Sequence, residues 1–194
     1  MIPLQIYKMS NDEKKIILII GKRGSGKTYF AKRYIADRRR LVVFDTLQEY
    51  TQAVSFDSIK DFAEFWQLHQ ASNFRLVYKP IDPKAEFDQV ADLVWACGNL
   101  TFYVEEISLI ATAHDISKSF ARLIQQGRHR NIELVCVTQR PQGIPKLLTS
   151  QTKEAYVFDT NEPRDIDYLE QLLGAEQTKK LKTLGKYEYI KWQS

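Results

Sequence analysis

Short apolar runs alternate along the chain with longer segments whose apolar residues recur every three or four positions. Ile16–Ile20 is apolar throughout and rich in β-branched residues, which is typical of a parallel strand buried on both faces. Further strands are predicted at 41–44, 74–78, 100–104, 133–138, 155–158 and 187–192. Strands that alternate with helices predict an α/β fold with a mainly parallel sheet and helices on both faces.

The predicted helices have recognisable ends. Ser58 precedes a helix predicted at 59–69, and the pair Asp82-Pro83 opens the next one, because serine, aspartate and proline favour the first positions of helices. Glycine ends several of them. Helices are predicted from residue 27 to about residue 37, at 59–69, 83–97, 117–126, 163–173, and in a short segment after Gly174.

The length and composition predict one globular domain. The chain has 194 residues, 44% of them hydrophobic and 12% aromatic, which is enough to bury a sizeable core. No internal repeat, low-complexity tract or linker interrupts the pattern. We therefore expect a single domain over residues 1–194, with its core at about 14–174 and a C-terminal helix and strand at 175–194.

Charge and cysteine content narrow the picture only slightly. A net charge of +4, from 28 basic and 24 acidic residues, permits a polyanionic partner without requiring one. Cys97 and Cys136 lie in apolar runs and are expected to be reduced core residues, with no metal or disulfide framework. The N-terminal segment lacks the apolar stretch of a signal peptide, and no apolar run could span a bilayer. We expect a soluble protein without direct membrane insertion.

A phosphate-binding motif follows the first predicted strand. The sequence GKRGSGKT matches the pattern G-x-x-x-x-G-K-[ST] and opens a predicted helix, which is the context this motif requires. Its glycines allow backbone N–H groups to surround phosphate oxygens, its lysine reaches the β- and γ-phosphates, and its threonine ligates Mg²⁺. The residues predicted to bind ATP–Mg²⁺ are Gly21, Lys22, Arg23, Gly24, Ser25, Gly26, Lys27 and Thr28.

Two acids end the strand predicted at 100–104. We assign Glu105 to the Mg²⁺ together with Thr28, and Glu106 to activation of the attacking water as general base. The usual first acid in this position is aspartate, but an extra methylene is tolerated where the contact runs through a water. The alternative is a pair of solvated acids at the end of a strand.

A third polar residue follows the strand predicted at 133–138. Gln139 would face the nucleotide if the carboxyl ends of these strands meet at one edge, where it could sense the γ-phosphate. The alternative is a polar residue at a strand exit before Pro141, without a role in catalysis.

The segments GKRGSGKT, FYVEE and GRHRNIELVCVTQRP, in this order, resemble the HerA–FtsK superfamily of DNA-pumping ATPases. Two shorter segments, VFDTLQEY and EPRDIDYL, are similar to HerA-like proteins, so the resemblance covers residues 16–174. It implies a P-loop NTPase fold of the RecA-like (ASCE) class, hydrolysis that depends on a glutamate, and a homo-oligomer, usually a hexameric ring around nucleic acid.

The resemblance also implies an arginine that completes the nucleotide site of the neighbouring subunit. Arg128 is the first candidate, followed by Arg130 and Arg122, unless these arginines form a solvated basic patch.

A minimal core of this size is similar to the genome-packaging ATPases of membrane-containing bacterial and archaeal viruses. That resemblance implies translocation of double-stranded DNA into a preformed capsid, a capsid or portal protein as partner, and a location in the cytoplasm of the infected cell or in association with the virion. Lys79, Lys84 and Lys118 are candidate DNA contacts. The run Arg38-Arg39-Arg40 is interpreted as a solvated helix end.

Three other functions fit parts of the sequence. A filamentous-phage assembly ATPase would share the motor but usually adds a membrane-spanning helix. A small-molecule kinase would share the phosphate loop and the size, although the Glu105-Glu106 pair and the TQRP segment argue against it. A nucleotide switch that hydrolyses slowly can be separated from a motor only by its turnover with and without DNA.

Overall fold

The computed structural model describes residues 15–194, and its elements alternate as the sequence predicts. The strands are β1 Ile16–Ile20, β2 Arg40–Phe44, β3 Val54–Phe56, β4 Phe74–Tyr78, β5 Leu100–Val104, β6 Ile132–Thr138, β7 Glu154–Phe158 and β8 Tyr189–Gln193. The α-helices are α1 Lys27–Tyr34, α2 Ile59–His69, α3 Pro83–Cys97, α4 Lys118–Gln126, α5 Lys146–Gln151, α6 Pro163–Leu173 and α7 Ala175–Leu181. Turns of 3₁₀-helix lie at Ile107–Leu109, Gly127–Arg130 and Pro141–Gly143.

All eight strands form one sheet in the order β3-β4-β2-β5-β6-β1-β7-β8. Every neighbouring pair is parallel except β7 and β8, which are antiparallel. Strand β6 lies between β1, which carries the phosphate-binding motif, and β5, which carries the two acids. Because these three strands are parallel, their carboxyl ends meet at one edge of the sheet.

The two faces of the sheet are covered unequally. Side chains alternate between the faces of a strand, so Ile17 and Ile19 of β1 pack with α1, whereas Leu18 and Ile20 pack on the opposite face. The opposite face holds the larger core, to which helices α2 to α7 contribute. The predicted α/β sheet with helices on both faces is confirmed.

The predicted helix caps are found in the structure, whereas one predicted helix end is wrong. Ser58 and Asp82 accept hydrogen bonds from the first turns of α2 and α3. Helix α1 ends at Tyr34 rather than near residue 37. The Arg75 guanidinium donates to the carbonyls of residues 35, 36 and 38, so a side chain from β4 satisfies the backbone groups that a longer helix would have used. Strand β3 and helix α5 are not predicted by the sequence pattern.

The arginine run after α1 is not a solvated helix end. Arg38 forms a two-pronged ion pair with Glu133, with N···O distances of 2.8 and 3.1 Å. Arg40 lies over the Phe74 ring and donates to the carbonyls of residues 70, 72 and 99. Arg40 thereby joins loops at the amino-terminal edge of the sheet, because the five N–H donors of a guanidinium can satisfy several carbonyls at once.

The two cysteines differ in burial. Cys136 is fully buried, as predicted, and burial raises the pKa of its thiol. Cys97 is only partly buried at the end of α3, and its Sγ accepts a hydrogen bond of 3.3 Å from Arg40. No helix within residues 15–194 is long and apolar enough to cross a membrane. The expectation that the N-terminus lacks a signal peptide falls on residues outside the described part of the chain.

Candidate nucleotide-binding site

The phosphate-binding motif forms a loop that connects β1 directly to α1. Its first residues are fixed by the neighbouring strands: the Gly21 N–H donates to the Thr138 carbonyl, and the Lys22 N–H donates to the Asp159 carbonyl at 2.9 Å. The ammonium of Lys22 also pairs with the Asp159 carboxylate at 2.5 Å. Gly21 is required here because a Cβ would lie 2.6 Å from that of Phe158.

Two side chains of the loop fit a bound phosphate. Lys27 is 7% exposed, and its Nζ donates to the Lys22 carbonyl across the loop at 2.8 Å. Burial lowers the pKa of Lys27, whereas the nearby Glu106 and Glu105 act in the opposite direction. Ser25 Oγ is buried and has no hydrogen-bond partner among the described residues. A buried hydroxyl without a partner is costly, and a phosphate oxygen in the loop would satisfy it.

Glu105 lies at the end of β5, opposite the first turn of α1. Its side chain is 1% exposed, and Thr28 Oγ1 donates to its Oε1 at 3.4 Å. Burial raises the pKa of Glu105 to about 8, and a hydrogen bond and the charge from Asp45 add to the rise. A divalent cation held by Thr28 and Glu105 would offset this clustering of carboxylates.

Mg²⁺ fits this donor set. Within residues 15–194 no group of three or more His, Cys, Asp or Glu side chains is arranged to hold a metal ion. Mg²⁺ differs from metals that need a closed protein cage, because it keeps several waters and binds through one or two protein oxygens together with substrate phosphates. The residues that would hold it are Thr28 and Glu105.

Glu106 is held in an unusual backbone conformation at the same edge. Its φ of 47° lies in the left-handed region, which is uncommon for a residue with a side chain. Its Oε1 accepts hydrogen bonds from Ser108 Oγ at 2.6 Å, from Thr138 Oγ1 at 3.3 Å and from the Gln139 N–H at 3.4 Å. The 3₁₀ turn after β5 and the exit of β6 thus fix the orientation of this carboxylate.

The structure brings most of the predicted site residues into one cavity of about 670 Å³. Its lining includes Arg23, Gly24, Gly26, Lys27, Thr28, Glu105, Glu106 and Gln139. The two acids and Gln139 therefore face the phosphate loop, as the sequence predicts from the ends of parallel strands.

Arg128 is outside this cavity, at the opposite edge of the sheet. It lies in the 3₁₀ turn before β6, and the seven residues of β6 separate that turn from Gln139, a distance of roughly 20 Å. Arg122 pairs with Asp92 at 2.7 Å, and Arg130 donates to the carbonyls at the end of α3. Arg128 is exposed, as is Arg130, but of the three arginines it is the one whose guanidinium forms no hydrogen bond or ion pair within residues 15–194.

Sequence reasoning missed two parts of the site. Asp45 is fully buried at the end of β2, where it accepts hydrogen bonds from the N–H groups of Glu49 and Tyr50 and faces Glu105. Its position after a buried strand was the available signal, because Glu105 and Gln139 follow strands in the same way.

The second missed part is an aromatic pocket of about 480 Å³ beside the phosphate loop. It is lined by Gly26, Tyr29, Phe30, Arg33, Tyr34, Phe158, Tyr187 and Tyr189. It shares Gly26, Tyr29 and Tyr187 with the phosphate cavity, so the two spaces are adjacent. The tyrosines near the C-terminus are its only sequence signal, and nothing local to them indicates what they contact.

No family model matches the chain. One curated protein, the DNA packaging ATPase P9 of Enterobacteria phage PRD1, is 28% identical over 171 residues, which is 81% of this chain and 69% of that protein. The predicted resemblance to the viral genome-packaging ATPases is confirmed. The fold also matches that of a genome packaging NTPase, B204 from Sulfolobus turreted icosahedral virus 2 in complex with AMPPCP. The TM-score is 0.77 at 19% identity, over 94% of this chain and 93% of the other.

More distant likenesses agree with a P-loop ATPase fold. VirB4 of Thermoanaerobacter pseudethanolicus matches with a TM-score of 0.62 at 10% identity, over 91% of this chain and 86% of that chain. At such identities the similarity establishes the fold alone.

Proposed function

We propose that this protein is an ATP-hydrolysing motor that translocates double-stranded DNA into a viral capsid. The observation that carries the proposal is the convergence of an intact phosphate loop with a fixed carboxylate, Glu106, in one cavity. The similarity to a DNA packaging ATPase over most of the chain supports the proposal that ATP hydrolysis drives DNA packaging.

The nucleotide would lie across both spaces beside the phosphate loop. Its phosphates occupy the loop and the first turn of α1, where the backbone N–H groups and Lys27 offset their charge. Its base enters the aromatic pocket that Tyr29 and Tyr187 line together with Phe30 and Tyr189, because flat apolar rings are favoured partners for a purine. Thr28 and Glu105 would hold Mg²⁺, which would neutralise charge on the β- and γ-phosphates.

Glu106 serves as the general base in this proposal. Its carboxylate accepts a proton from the water that attacks the γ-phosphorus, the bond to the bridging oxygen breaks, and ADP leaves with the charge on its β-phosphate. Hydrogen bonds from Thr138 and from the Gln139 N–H hold the carboxylate in place. The Gln139 side chain, which lines the same cavity, contacts the γ-phosphate and reports its loss to β6.

Arg128 acts in trans in this proposal. It is exposed at the edge of the sheet opposite to its own phosphate loop, so it can reach a nucleotide only in a neighbouring subunit. A head-to-tail arrangement of this kind generates a ring when the rotation between neighbouring subunits closes. We propose a homo-oligomer, a hexameric ring, that encircles DNA and docks on a capsid or portal protein in the infected cell or on the virion.

The proposed DNA contacts remain Lys79, Lys84 and Lys118. Lys84 pairs with Asp115 at 2.6 Å in the free chain.

The test is steady-state ATP hydrolysis with and without long double-stranded DNA over a range of protein concentrations. We expect turnover that DNA stimulates and that rises cooperatively with protein concentration. Lys27→Ala should abolish nucleotide binding, whereas Glu106→Gln should bind ATP and not hydrolyse it. Turnover that is indifferent to DNA and to protein concentration would contradict the motor and direct the search to kinase acceptors. Normal turnover by Glu106→Gln would remove the assigned base.

A further inference from the structure

A short turn between α7 and β8 lies against the phosphate loop. We call residues 185–188 the C-terminal strap. The turn closes on itself, because the Glu188 carboxylate accepts the Gly185 N–H at 2.7 Å and the Glu188 N–H donates to the Gly185 carbonyl at 3.1 Å. The sequence pattern places it in a loop or at the start of the last strand and assigns it no role.

Tyr187 attaches the strap to the phosphate loop by its backbone and its ring. Its N–H donates to the carbonyl of Ser25 at 2.9 Å. A Cβ on Gly26 would lie 2.6 Å from the Tyr187 ring and 3.1 Å from its Cα, so the two segments are in direct contact. The Tyr187 ring also packs edge-on against Tyr29, with centroids 5.4 Å apart.

The strap is held in place by the sheet as well. Strand β8 begins directly after it and pairs with β7, with Tyr189 opposite Phe158. The Tyr189 ring contacts Phe30 of α1 and Phe158, at centroid distances of 4.9 and 5.3 Å. Tyr187 adopts a φ of 73°, which is rare for a bulky residue and persists where surrounding contacts determine the backbone. The position of the strap relative to the phosphate loop is therefore fixed by contacts on both sides.

Lys186 is the residue that this arrangement presents to the nucleotide. It lines the same cavity as Lys27, Glu106 and Gln139. Its ammonium lies over the Tyr187 ring at 5.0 Å and forms no ion pair within residues 15–194, so no protein carboxylate offsets its charge. A cation without an anionic partner, on a turn docked against a phosphate loop, is suited to a polyphosphate.

We propose that Lys186 binds the polyphosphate chain of the nucleotide held by its own subunit, so that the C-terminal strap completes the nucleotide site in cis. The inference rests on the proposed function, since it requires that the cavity binds a nucleoside triphosphate. Lys186 differs from Lys27 in that it approaches from the C-terminal segment rather than from the loop itself. It contacts ground state and transition state alike, so it contributes to affinity more than to the rate of hydrolysis.

The experiment uses calorimetry to measure the affinity of three variants for ATP, ADP and AMP, at a protein concentration low enough to keep subunits apart. The variants are Lys186→Gln, Lys186→Arg and the matched control Lys182→Gln. Lys182 is an exposed lysine of the same C-terminal segment. We expect Lys186→Gln to weaken ATP binding about tenfold, as the loss of one charged hydrogen bond does, with a smaller loss for AMP. Lys186→Arg should restore most of the affinity, and Lys182→Gln should match the unaltered chain. In steady state, Lys186→Gln should raise KM with kcat nearly unchanged.

Three results would overturn the inference. The first is equal affinity of Lys186→Gln and Lys182→Gln for ATP. The second is an equal loss for AMP and ATP, which would indicate a disturbed base pocket rather than a missing charge. The third is a loss seen only at concentrations where subunits associate, which would place Lys186 in a neighbour's site. Failure of the proposed function is distinct, because then the unaltered chain binds no ATP or Lys27→Ala binds it normally.

Discussion

Glu105→Gln is expected to make the stability of the nucleotide-free chain less sensitive to pH. Burial, the hydrogen bond to Asp45 and the charge of Asp45 raise the pKa of Glu105 from 4.5 to about 8. Between these two values the folded chain keeps a proton that the unfolded chain releases. The unfolded state therefore binds fewer protons, and the free energy of unfolding falls as the pH rises through this window.

The size of the effect follows from the same pKa values. One retained proton changes the free energy of unfolding by at most about 1.4 kcal/mol per pH unit, which bounds the whole loss at about 4 kcal/mol by pH 8. Interaction with neighbouring charged groups spreads the titration of Glu105 over a wider range, so we expect about 2 kcal/mol between pH 5 and pH 8. Glutamine has nearly the same shape and does not titrate. The variant should match the unaltered chain at pH 5 and be more stable by about 2 kcal/mol at pH 8.

The assay is urea unfolding of both proteins at pH 5, 6, 7 and 8 without nucleotide or Mg²⁺, with the difference between them taken at each pH so that other groups cancel. Asp45→Asn serves as the second variant. It removes the charge but leaves the burial and a polar side chain in the same place, so it should reduce the pH dependence without abolishing it. A difference between Glu105→Gln and the unaltered chain that stays constant from pH 5 to pH 8 would refute the reasoning, because Glu105 would then be ionised throughout.

Three further changes test other parts of the structure. Gly26→Ala should weaken ATP binding at least tenfold and lower the free energy of unfolding, because the new Cβ would enter the C-terminal strap and the φ of 110° disfavours alanine. Calorimetry measures the affinity and urea unfolding the stability. Wild-type affinity would contradict the contact between Gly26 and the strap. Arg38→Ala should lower the free energy of unfolding in urea by about 2–3 kcal/mol, because it leaves the Glu133 carboxylate buried and unpaired. Adding Glu133→Gln should recover much of this loss, and an Arg38→Ala variant as stable as the unaltered chain would show that the pair contributes nothing. Arg128→Ala and Glu106→Gln should each be inactive alone, yet an equal mixture should regain about a quarter of the wild-type ATP turnover. About that share of the interfaces in a head-to-tail ring combines an intact Glu106 with an intact Arg128 from the neighbour. No recovery would exclude action of Arg128 in trans.

The sequence by itself predicted most of the elements, although not β3 or α5, and identified the phosphate-binding motif. Both are local properties: an uninterrupted apolar run predicts β1, and the motif at 21–28 is recognised from the spacing of its own residues. Glu105, Glu106 and Gln139 were predicted as site residues because they lie one or two positions after a buried strand, and parallel strands end at a common edge. Their location at the same edge as the phosphate loop was therefore predictable, whereas their closeness to it depends on the strand order.

The tertiary structure alone decided which distant segments meet. The insertion of β6 between β1 and β5, the approach of Asp45 to Glu105, and the contact of Tyr187 with Ser25 join residues that no short-range pattern connects. The run Arg38-Arg39-Arg40 illustrates the same limit. In sequence it has the composition of a solvated helix end, yet Glu133 and several loop carbonyls in the folded chain provide partners for its charges. Periodicity reports which face of an element is buried, whereas the partner across a contact is set by the packing of the whole sheet.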